Sequence, residues 1–188
     1  TFVVFVLTYA TLSESRKIND QITRIYNPSV NALEDLNLLI VESKMLIMRW
    51  MDVQISDDPD KAKLRKLIVE DYPQKKEEIL KLAEFWSPDE KEQIDDVIIK
   101  IENLILYLED IMSQLNTFES YEDPMVVFMI RPMVEGGEVE ILFDRILKEL
   151  PVIVKSHQDS TSEVSAQMLD AFDYLEFVVR TLGIALVV

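Results

Sequence analysis

Apolar residues recur at every third or fourth position along most of this chain, and this spacing limits what the chain can fold into. A repeat of this period places the apolar side chains on one face of an α-helix. With only 3 Gly and 7 Pro among 188 residues to form turns, the sequence predicts an all-α fold of a few long helices. The clearest stripe consists of Ile94, Val97, Ile98, Ile101, Leu104, Ile105, Leu108, Ile111, Met112 and Leu115.

Two helices are predicted in the first half of the chain. The first extends from the apolar start to about Ser56, and Pro28 is expected to kink or restart it. The second extends from about Pro59 to Phe85, with Asp58 as its N-cap and a proline at its first position. Pro73 is expected to kink this helix or to split it into two pieces.

Two further helices are predicted after the sequence WSPDE. Ser87 and Glu90 have the spacing of a capping box, so the third helix starts there and is predicted to end near Phe118. Residues 121–140 hold two Pro and two Gly and are predicted to be irregular, with at most a turn of helix after Pro124. The fourth helix starts near Glu138 and reaches the end of the chain.

The middle of the fourth helix is unusually polar. The segment KSHQDSTSEVSAQ has only Val164 and Ala166 as apolar residues, so it cannot form an ordinary dry core layer. Ser160 and Glu163 again have capping-box spacing, which allows the helix to break and restart here. A continuous helix through this polar layer is an equally good prediction.

Helix lengths indicate how these elements pack. At about 1.5 Å per residue, the first and last helices reach roughly 60 to 70 Å, and the middle pair roughly 40 to 46 Å. Up-down-up-down packing then predicts a four-helix bundle whose short helices cover only the distal two-thirds of the long pair. Pro28 and the polar patch from His157 to Ser162 both fall where this cover is expected to end.

Both ends of the chain are apolar, with TFVVFVLTYA at the start and FVVRTLGIALVV at the finish. Each run supplies only about ten apolar residues, and a spanning helix needs about 20. We interpret residues 1–12 and 177–188 as parts of two truncated transmembrane helices that flank the four-helix bundle at residues 13–176. The alternative is two buried helix ends that pack against each other in a soluble core.

Net charge and residue types exclude several classes of function. The net charge of -16 argues against binding to nucleic acid or to anionic lipid, because either needs a basic patch. With no Cys and a single His, we predict no catalytic residues, no metal site and no cofactor. Residues 87–149 hold sixteen Asp or Glu against five Lys or Arg, so one face or end of the bundle is expected to be strongly negative and could weakly collect divalent cations.

The layout resembles a family of bacterial receptors. Two membrane segments around a bundle with long first and last helices are similar to the extracytoplasmic four-helix-bundle sensor domains of histidine kinases and methyl-accepting chemotaxis receptors. The sequence NPSVNALEDLNLLIVESKMLIMRW looks like the first helix of such domains, with Pro28 near the foot of the bundle. The resemblance implies a parallel homodimer in the inner (cytoplasmic) membrane, with this domain periplasmic or extracellular.

A few residues are candidates for binding a small molecule or for transmitting a signal. Arg49, Trp50 and Arg131 could hold an anion with an apolar group. The alternatives are a core position for Trp50, a solvated Arg49 and a surface salt bridge at Arg131. Pro28, His157, Ser160 and Ser162 mark the predicted kink and polar layer, where His157 either senses pH or is solvated at a helix break.

The sequence therefore predicts a non-catalytic sensor domain that passes a signal through its last helix to a cytoplasmic output module. A sensor histidine kinase is favoured over a chemoreceptor, because the arginine set that binds amino acids in chemoreceptors has only Arg49 as a counterpart. The input is expected to be a small molecule, a cation or a periplasmic protein. The alternative of another class is a soluble helical scaffold or adaptor whose apolar ends mediate assembly.

Overall fold

The structure is a computed structural model that describes residues 2–55 and 57–187, with the backbone alone for residues 2–4, 7 and 182–187. Within these ranges every regular element is helical, so the predicted all-α class is confirmed. The chain divides into two compact units. The terminal unit comprises Thr1–Val30 and Lys155–Val188, and the central unit comprises Asn31–Val154.

The helices of the described residues follow one another through short connections. In chain order they are α1 (Phe2–Gln21), a π-helical turn (Ile22–Tyr26), α2 (Asn27–Asp52), α3 (Pro59–Lys66), a second π-helical turn (Leu67–Asp71), α4 (Tyr72–Ala83), α5 (Pro88–Gln114), α6 (Phe118–Glu122), α7 (Pro124–Val134) and α8 (Glu138–Val187).

Both π-helical turns end two residues before a proline. Asn27 donates its backbone N–H to Ile22 O, five residues back, and Pro28 follows. Tyr72 bonds in the same way to Leu67 O ahead of Pro73. A proline inside a helix has no N–H to donate, and its ring crowds the carbonyl four residues earlier, so a wider turn relieves the clash. The predicted interruptions at Pro28 and Pro73 are therefore π-helical turns within continuous helical segments.

The predicted N-caps of the central unit are confirmed. Asp58 Oδ1 accepts the N–H of Asp60 at 2.8 Å, with Pro59 in the first turn of α3. Ser87 Oγ accepts the N–H of Glu90 at 3.3 Å, and the Glu90 carboxylate accepts the N–H of Ser87 at 3.0 Å. These bonds satisfy backbone donors that have no partner within the helix.

The connection before α8 is more helical than predicted. Helix α5 ends at Gln114 instead of near Phe118, because Thr117 caps the separate short helix α6. Asp123 then caps α7 through a 2.9 Å bond from the N–H of Met125, so α7 is longer than the single turn expected there. Gly136 follows with a φ of 88°, a left-handed conformation that lets the chain turn into α8.

Helix α8 does not break in its polar middle. Thr161 Oγ1 donates to His157 O at 2.8 Å, and Ser162 Oγ donates to Gln158 O at 3.0 Å. Such bonds to the carbonyl four residues earlier satisfy the hydroxyl groups without ending the helix. Of the two equal predictions for this segment, continuity is the one observed, and a break at Ser160 is wrong.

Ion pairs in the central unit identify which helices are neighbours. Helix α2 is linked to α3 and α4, α4 to α5, α5 to α8, and α8 back to α2, so these helices form a closed ring. Along α2 and the α3–α4 segment the paired residues run in opposite directions, which makes the two antiparallel. Exposed pairs of this kind stabilise little, but each one shows that two helices lie close together. They are Lys63–Glu42, Lys75–Asp35, Lys76–Glu102, Lys100–Glu149 and Lys44–Asp144.

The core of the central unit includes the apolar stripe predicted for the third helix. Eight of its side chains, from each helix of the ring, are almost fully buried. Burial of side chains of this size contributes about 1.5 to 3 kcal/mol each relative to exposure, before the entropy of folding is subtracted. These residues are Leu33, Ile40, Ile47, Leu64, Ile79, Ile94, Ile101 and Ile146.

Tyr72 is a weak point of this core. Its side chain is 4% exposed, and within the described part of the chain nothing hydrogen bonds to its hydroxyl. Burial, with the charge of Glu102 as a second cause, raises the pKa of Tyr72. A buried hydroxyl without a partner costs about 1 to 3 kcal/mol. We therefore expect Tyr72→Phe to stabilise the protein by about 1 kcal/mol at pH 7, measured by urea denaturation.

The pH dependence of the same variant provides an independent check. A folded-state pKa above the unfolded value gives stability that is complete below pH 10 and is lost as the pH rises further. The loss between pH 9 and pH 11 should therefore be smaller in Tyr72→Phe than in the wild type. Tyr174→Phe, at an exposed position, is the control and should change neither value. A destabilised Tyr72→Phe would show that the hydroxyl is bonded after all.

Candidate ligand groove between α5 and α8

A groove runs between α5 and α8 inside the central unit. Helix α5 contributes Gln93, Asp96, Val97 and Lys100, which are spaced i, i+3, i+4 and i+7 and so share one helix face. Helix α8 contributes a face of the same spacing, supplemented by Ile153. The groove has a volume of about 520 Å³, within the range of small-molecule sites. The α8 face consists of Arg145, Lys148, Glu149 and Val152.

Lys100 neutralises the acidic residues of the groove. Its ammonium lies 2.5 Å from Asp96 Oδ2 and 2.5 Å from Glu149 Oε2, so one cation links the two helices through two carboxylates. Burial alone would lower the pKa of Lys100, but these two hydrogen bonds raise it overall. The lysine therefore stays charged at neutral pH, and both carboxylates are already occupied.

Arg145 and Lys148 are left as available cations. Both side chains are exposed, and neither forms an ion pair with any other described residue. Residues 87–149 contain only five basic residues against sixteen acidic ones, and three of the five line this groove. The groove is thus a positively charged site in the most acidic part of the sequence.

The floor of the groove is aliphatic. Val97 and Ile153 are buried beneath it, and Val152 is exposed beside the two free cations. Apolar walls combined with a few convergent polar groups are typical of small-molecule sites. The arrangement can hold an anionic group against Arg145 and Lys148 while an apolar portion covers Val152.

The three residues predicted from sequence to hold a ligand lie elsewhere in the central unit. Trp50 is 1% exposed, and its indole N–H donates to Leu115 O at 2.9 Å, so it is a core residue. Arg49 is exposed and forms an ion pair with Asp60. The guanidinium of Arg131 lies 3.2 Å from Glu135 and 3.7 Å from Asp52. Each polar group already has a partner in the chain, and their role in ligand binding stays a prediction.

A buried lysine beside Trp50 was not anticipated. Lys61 is 2% exposed, its ammonium donates to Tyr121 Oη at 2.9 Å, and it lies 5.1 Å from the Trp50 ring centroid and 4.6 Å from that of Tyr121. Tyr121 Oη lies 2.7 Å from Trp50 O and donates to it. Lysine is rarely buried, so no local signal in the sequence distinguishes Lys61 from the neighbouring basic residues.

The predicted polar layer belongs to the terminal unit. His157 is 0% exposed, which corrects the prediction of a solvated histidine, and its ring centroid lies 6.5 Å from that of Tyr26. Pro28 is half-buried after the first π-helical turn. Ser160 is partly exposed and Ser162 exposed, so the helix presents them outward while it buries His157. A signalling role for these four residues stays a prediction.

The described residues contain no group of three or more His, Asp and Glu side chains placed to hold a metal ion. Among the same residues, no helix has the length and apolar character needed to cross a membrane. The predicted spans at residues 1–12 and 177–188 include side chains that lie outside the described part of the chain.

Comparisons with known protein families, with curated proteins and with solved structures give no match to this chain.

Proposed function

We propose that this chain is the extracytoplasmic sensor domain of a transmembrane signalling receptor, favouring a sensor histidine kinase. In this proposal the α5–α8 groove receives the input and α8 passes it to a cytoplasmic output module. The observation that carries the proposal is the continuity of α8 from Glu138 to Val187. One helix contains the charged face of the groove, the buried His157 and the apolar C-terminal sequence.

The arrangement of the central unit supports a four-helix bundle with up-down-up-down connections. The ring of ion pairs places each of the segments α2, α3–α4, α5 and α8 beside two others. Short connections, such as residues 84–87 between α4 and α5, are typical of antiparallel neighbours. Both α2 and α8 also contribute residues to the terminal unit.

Exposed apolar residues support a position at the inner membrane. In the terminal unit, Phe5 and Tyr9 of α1 and Tyr174 and Phe177 of α8 are all exposed. Aromatic side chains, Tyr and Trp above all, are enriched at membrane–water interfaces, where the ring contacts lipid and its polar group contacts water or lipid headgroups. We propose that the two ends of the chain lie at or in the membrane and that the central unit is periplasmic or extracellular.

A parallel homodimer is proposed as the assembled state. Helix α2 exposes a stripe of four large apolar side chains with spacing 3-4-3. This is the repeat of a coiled-coil seam, which packs against another helix. The stripe consists of Leu38, Val41, Met45 and Met48.

The mechanism requires two packings of similar energy that the input can bias. A ligand shifts such an equilibrium only by its difference in affinity for the two states. We propose the polar part of α8 around Thr161 and Ser162, together with the turn before Pro28, as the element that changes. Hydroxyl bonds to helix carbonyls and π-helical turns both permit small changes in helix geometry.

A soluble helical scaffold is the second candidate, and one observation favours it. Helix α7 exposes Met125, Phe128, Met129 and Pro132, which share a face at spacing i, i+3, i+4 and i+7. Exposed apolar helix faces of this kind are common at protein interaction sites. A scaffold would use such a face inside the cell, whereas a sensor would present it outside.

Cysteine labelling of the full-length gene product distinguishes the two candidates. These 188 residues contain 0 Cys, so Phe85→Cys, at a side chain that is 66% exposed, introduces a thiol whose labelling is read as the difference from the unsubstituted gene product. A membrane-impermeant maleimide should label this thiol in cells with an intact cytoplasmic membrane. The same substitution should be labelled equally before and after lysis.

An intracellular control protein with one exposed cysteine should be labelled only after lysis. If Phe85→Cys behaves like that control, the sensor proposal is wrong and the scaffold is favoured. A chain trimmed to residues 13–176 gives a further comparison. It should stay helical and monodisperse without detergent if the ends are membrane segments, and it should aggregate or unfold if those ends form part of a soluble core.

A further inference from the structure

We infer that the α5–α8 groove binds a small organic molecule with a dianionic head and an aliphatic tail. The head contacts Arg145 and Lys148, and the tail lies along Val152 over the buried Val97 and Ile153. As an input to signalling, this inference rests on the function proposed above, whereas binding itself can be measured on the chain alone.

The charge of the ligand follows from the positions of the free cations. Residues three apart on a helix are neighbours, with about 5 to 6 Å between their Cβ atoms, so Arg145 and Lys148 can reach one group together. Because neither Arg145 nor Lys148 has a carboxylate partner, together they can bind a ligand group that carries two negative charges. A phosphate monoester and a dicarboxylate both carry such a head, and the experiment below separates them.

The acidic character of the whole chain does not prevent this binding. At physiological ionic strength charges are screened over about 8 Å, so residues lining the groove dominate the local field. The two acids that line the groove, Asp96 and Glu149, are both paired with Lys100. That pairing also fixes Lys100 between α5 and α8, so the groove is formed before a ligand arrives.

The aliphatic floor defines the second half of the ligand. Val152 is exposed although it adjoins a groove of about 520 Å³, so an apolar tail that covers it removes apolar surface from water. Each buried methylene contributes about 0.8 kcal/mol, which corresponds to an affinity gain of about fourfold. A tail of a few carbons should therefore increase affinity stepwise.

Titration of the ¹⁵N-labelled chain tests the inference. The probes are ethyl and butyl phosphate, glutarate, and butanol as the uncharged match. We expect saturable shifts at backbone amides of residues 93–100 and 145–153, with butyl phosphate binding more tightly than ethyl phosphate. Comparison of butyl phosphate with glutarate shows which head is preferred. No saturable shift with either dianion would overturn the inference.

The double variant Arg145→Ala/Lys148→Ala should weaken dianion binding at least tenfold, with an unchanged circular dichroism spectrum because both side chains are exposed. Arg16→Ala/Lys17→Ala is the matched control, since it removes one exposed Arg and one exposed Lys from another part of the chain. Equal weakening in the two variants would mean that only net charge matters and would refute a site in the groove.

Binding and signalling can fail separately. If the dianion binds in the groove but the Phe85→Cys thiol is labelled only after lysis, the ligand site is retained and the sensor proposal is rejected. If the thiol is labelled from outside but neither dianion binds, the sensor proposal is retained and this inference is rejected.

Discussion

Replacing Trp50 with alanine is expected to lower the free energy of unfolding by about 4 kcal/mol, because removal of a buried aromatic side chain costs about 3 to 5 kcal/mol. Trp50 is almost fully buried, and its N–H is the donor to Leu115 O at the end of α5. The Arg65 guanidinium also lies 5.0 Å from the centroid of its ring. The substitution therefore leaves a cavity and two cations that lose an aromatic neighbour, and Leu115 O keeps only its bond from the Tyr121 hydroxyl.

Urea denaturation followed by circular dichroism measures this effect, provided that unfolding is two-state. Phe85→Ala is the control, because it removes an aromatic side chain of similar size from an exposed position. The control should change the free energy of unfolding by no more than about 0.5 kcal/mol. A loss below about 1.5 kcal/mol in Trp50→Ala would contradict the core position of this residue.

The second large effect is expected at Tyr121. In Tyr121→Phe, the buried ammonium of Lys61 loses its hydrogen-bond acceptor, and Trp50 O loses a donor. Hydrogen bonds to charged groups contribute about 1.5 to 3 kcal/mol, and the cost rises when the charge is left buried. We expect Tyr121→Phe to lower the free energy of unfolding by about 2.5 kcal/mol at pH 7.

Lys61→Met should rescue most of this loss, because methionine has a similar length and no charge to solvate. The single Lys61→Met substitution should be within about 1 kcal/mol of the wild type, and the double variant should be more stable than Tyr121→Phe by at least 1 kcal/mol. Additive effects in this double-mutant cycle would refute a coupling between the ammonium and the hydroxyl. The cycle is measured with the same urea protocol.

The pH dependence of Tyr121→Phe follows from the same ammonium. Burial, followed by the charge of Arg65, lowers the pKa of Lys61, although Asp58 opposes this. A lowered folded-state pKa means that the charged form is disfavoured in the folded protein, so stability increases as the pH rises toward 10.5. The deficit of Tyr121→Phe should therefore shrink between pH 7 and pH 9.5, and it should shrink less in the Lys61→Met background.

Local sequence signals predicted the starts of the helices. Asp58, Ser87 and Glu138 mark these starts correctly, because caps and first-turn prolines depend on residues that are close in sequence. The end of α5 was predicted near Phe118, about four residues too late. Thr117 is the N-cap of α6, but a single Thr within a helical pattern does not show that a new helix starts there. Helix α7 was underestimated because Pro132 lies inside it, where a proline is usually a sign of termination.

Features that depend on distant contacts could not be predicted in the same way. The polar composition around His157 indicated a solvated residue, and only the folded chain shows that this ring is buried. Lys61 is buried because Trp50 and Tyr121 surround it from other helices. The groove was missed for a related reason, since Arg145 and Lys148 become significant only when Lys100 of α5 occupies the nearby acids.

Each π-helical turn also has a consequence for chain length. A residue added to an α-helix rotates everything beyond it by about 100°, but a wider turn absorbs that residue and keeps the flanking faces aligned. Deletion of one residue from Ile22–Tyr26 would thus convert the turn to ordinary helix without reorienting its neighbours. The ring of Pro28 would then crowd the carbonyl four residues earlier in the shortened helix, so a relative with this deletion should also have replaced the proline.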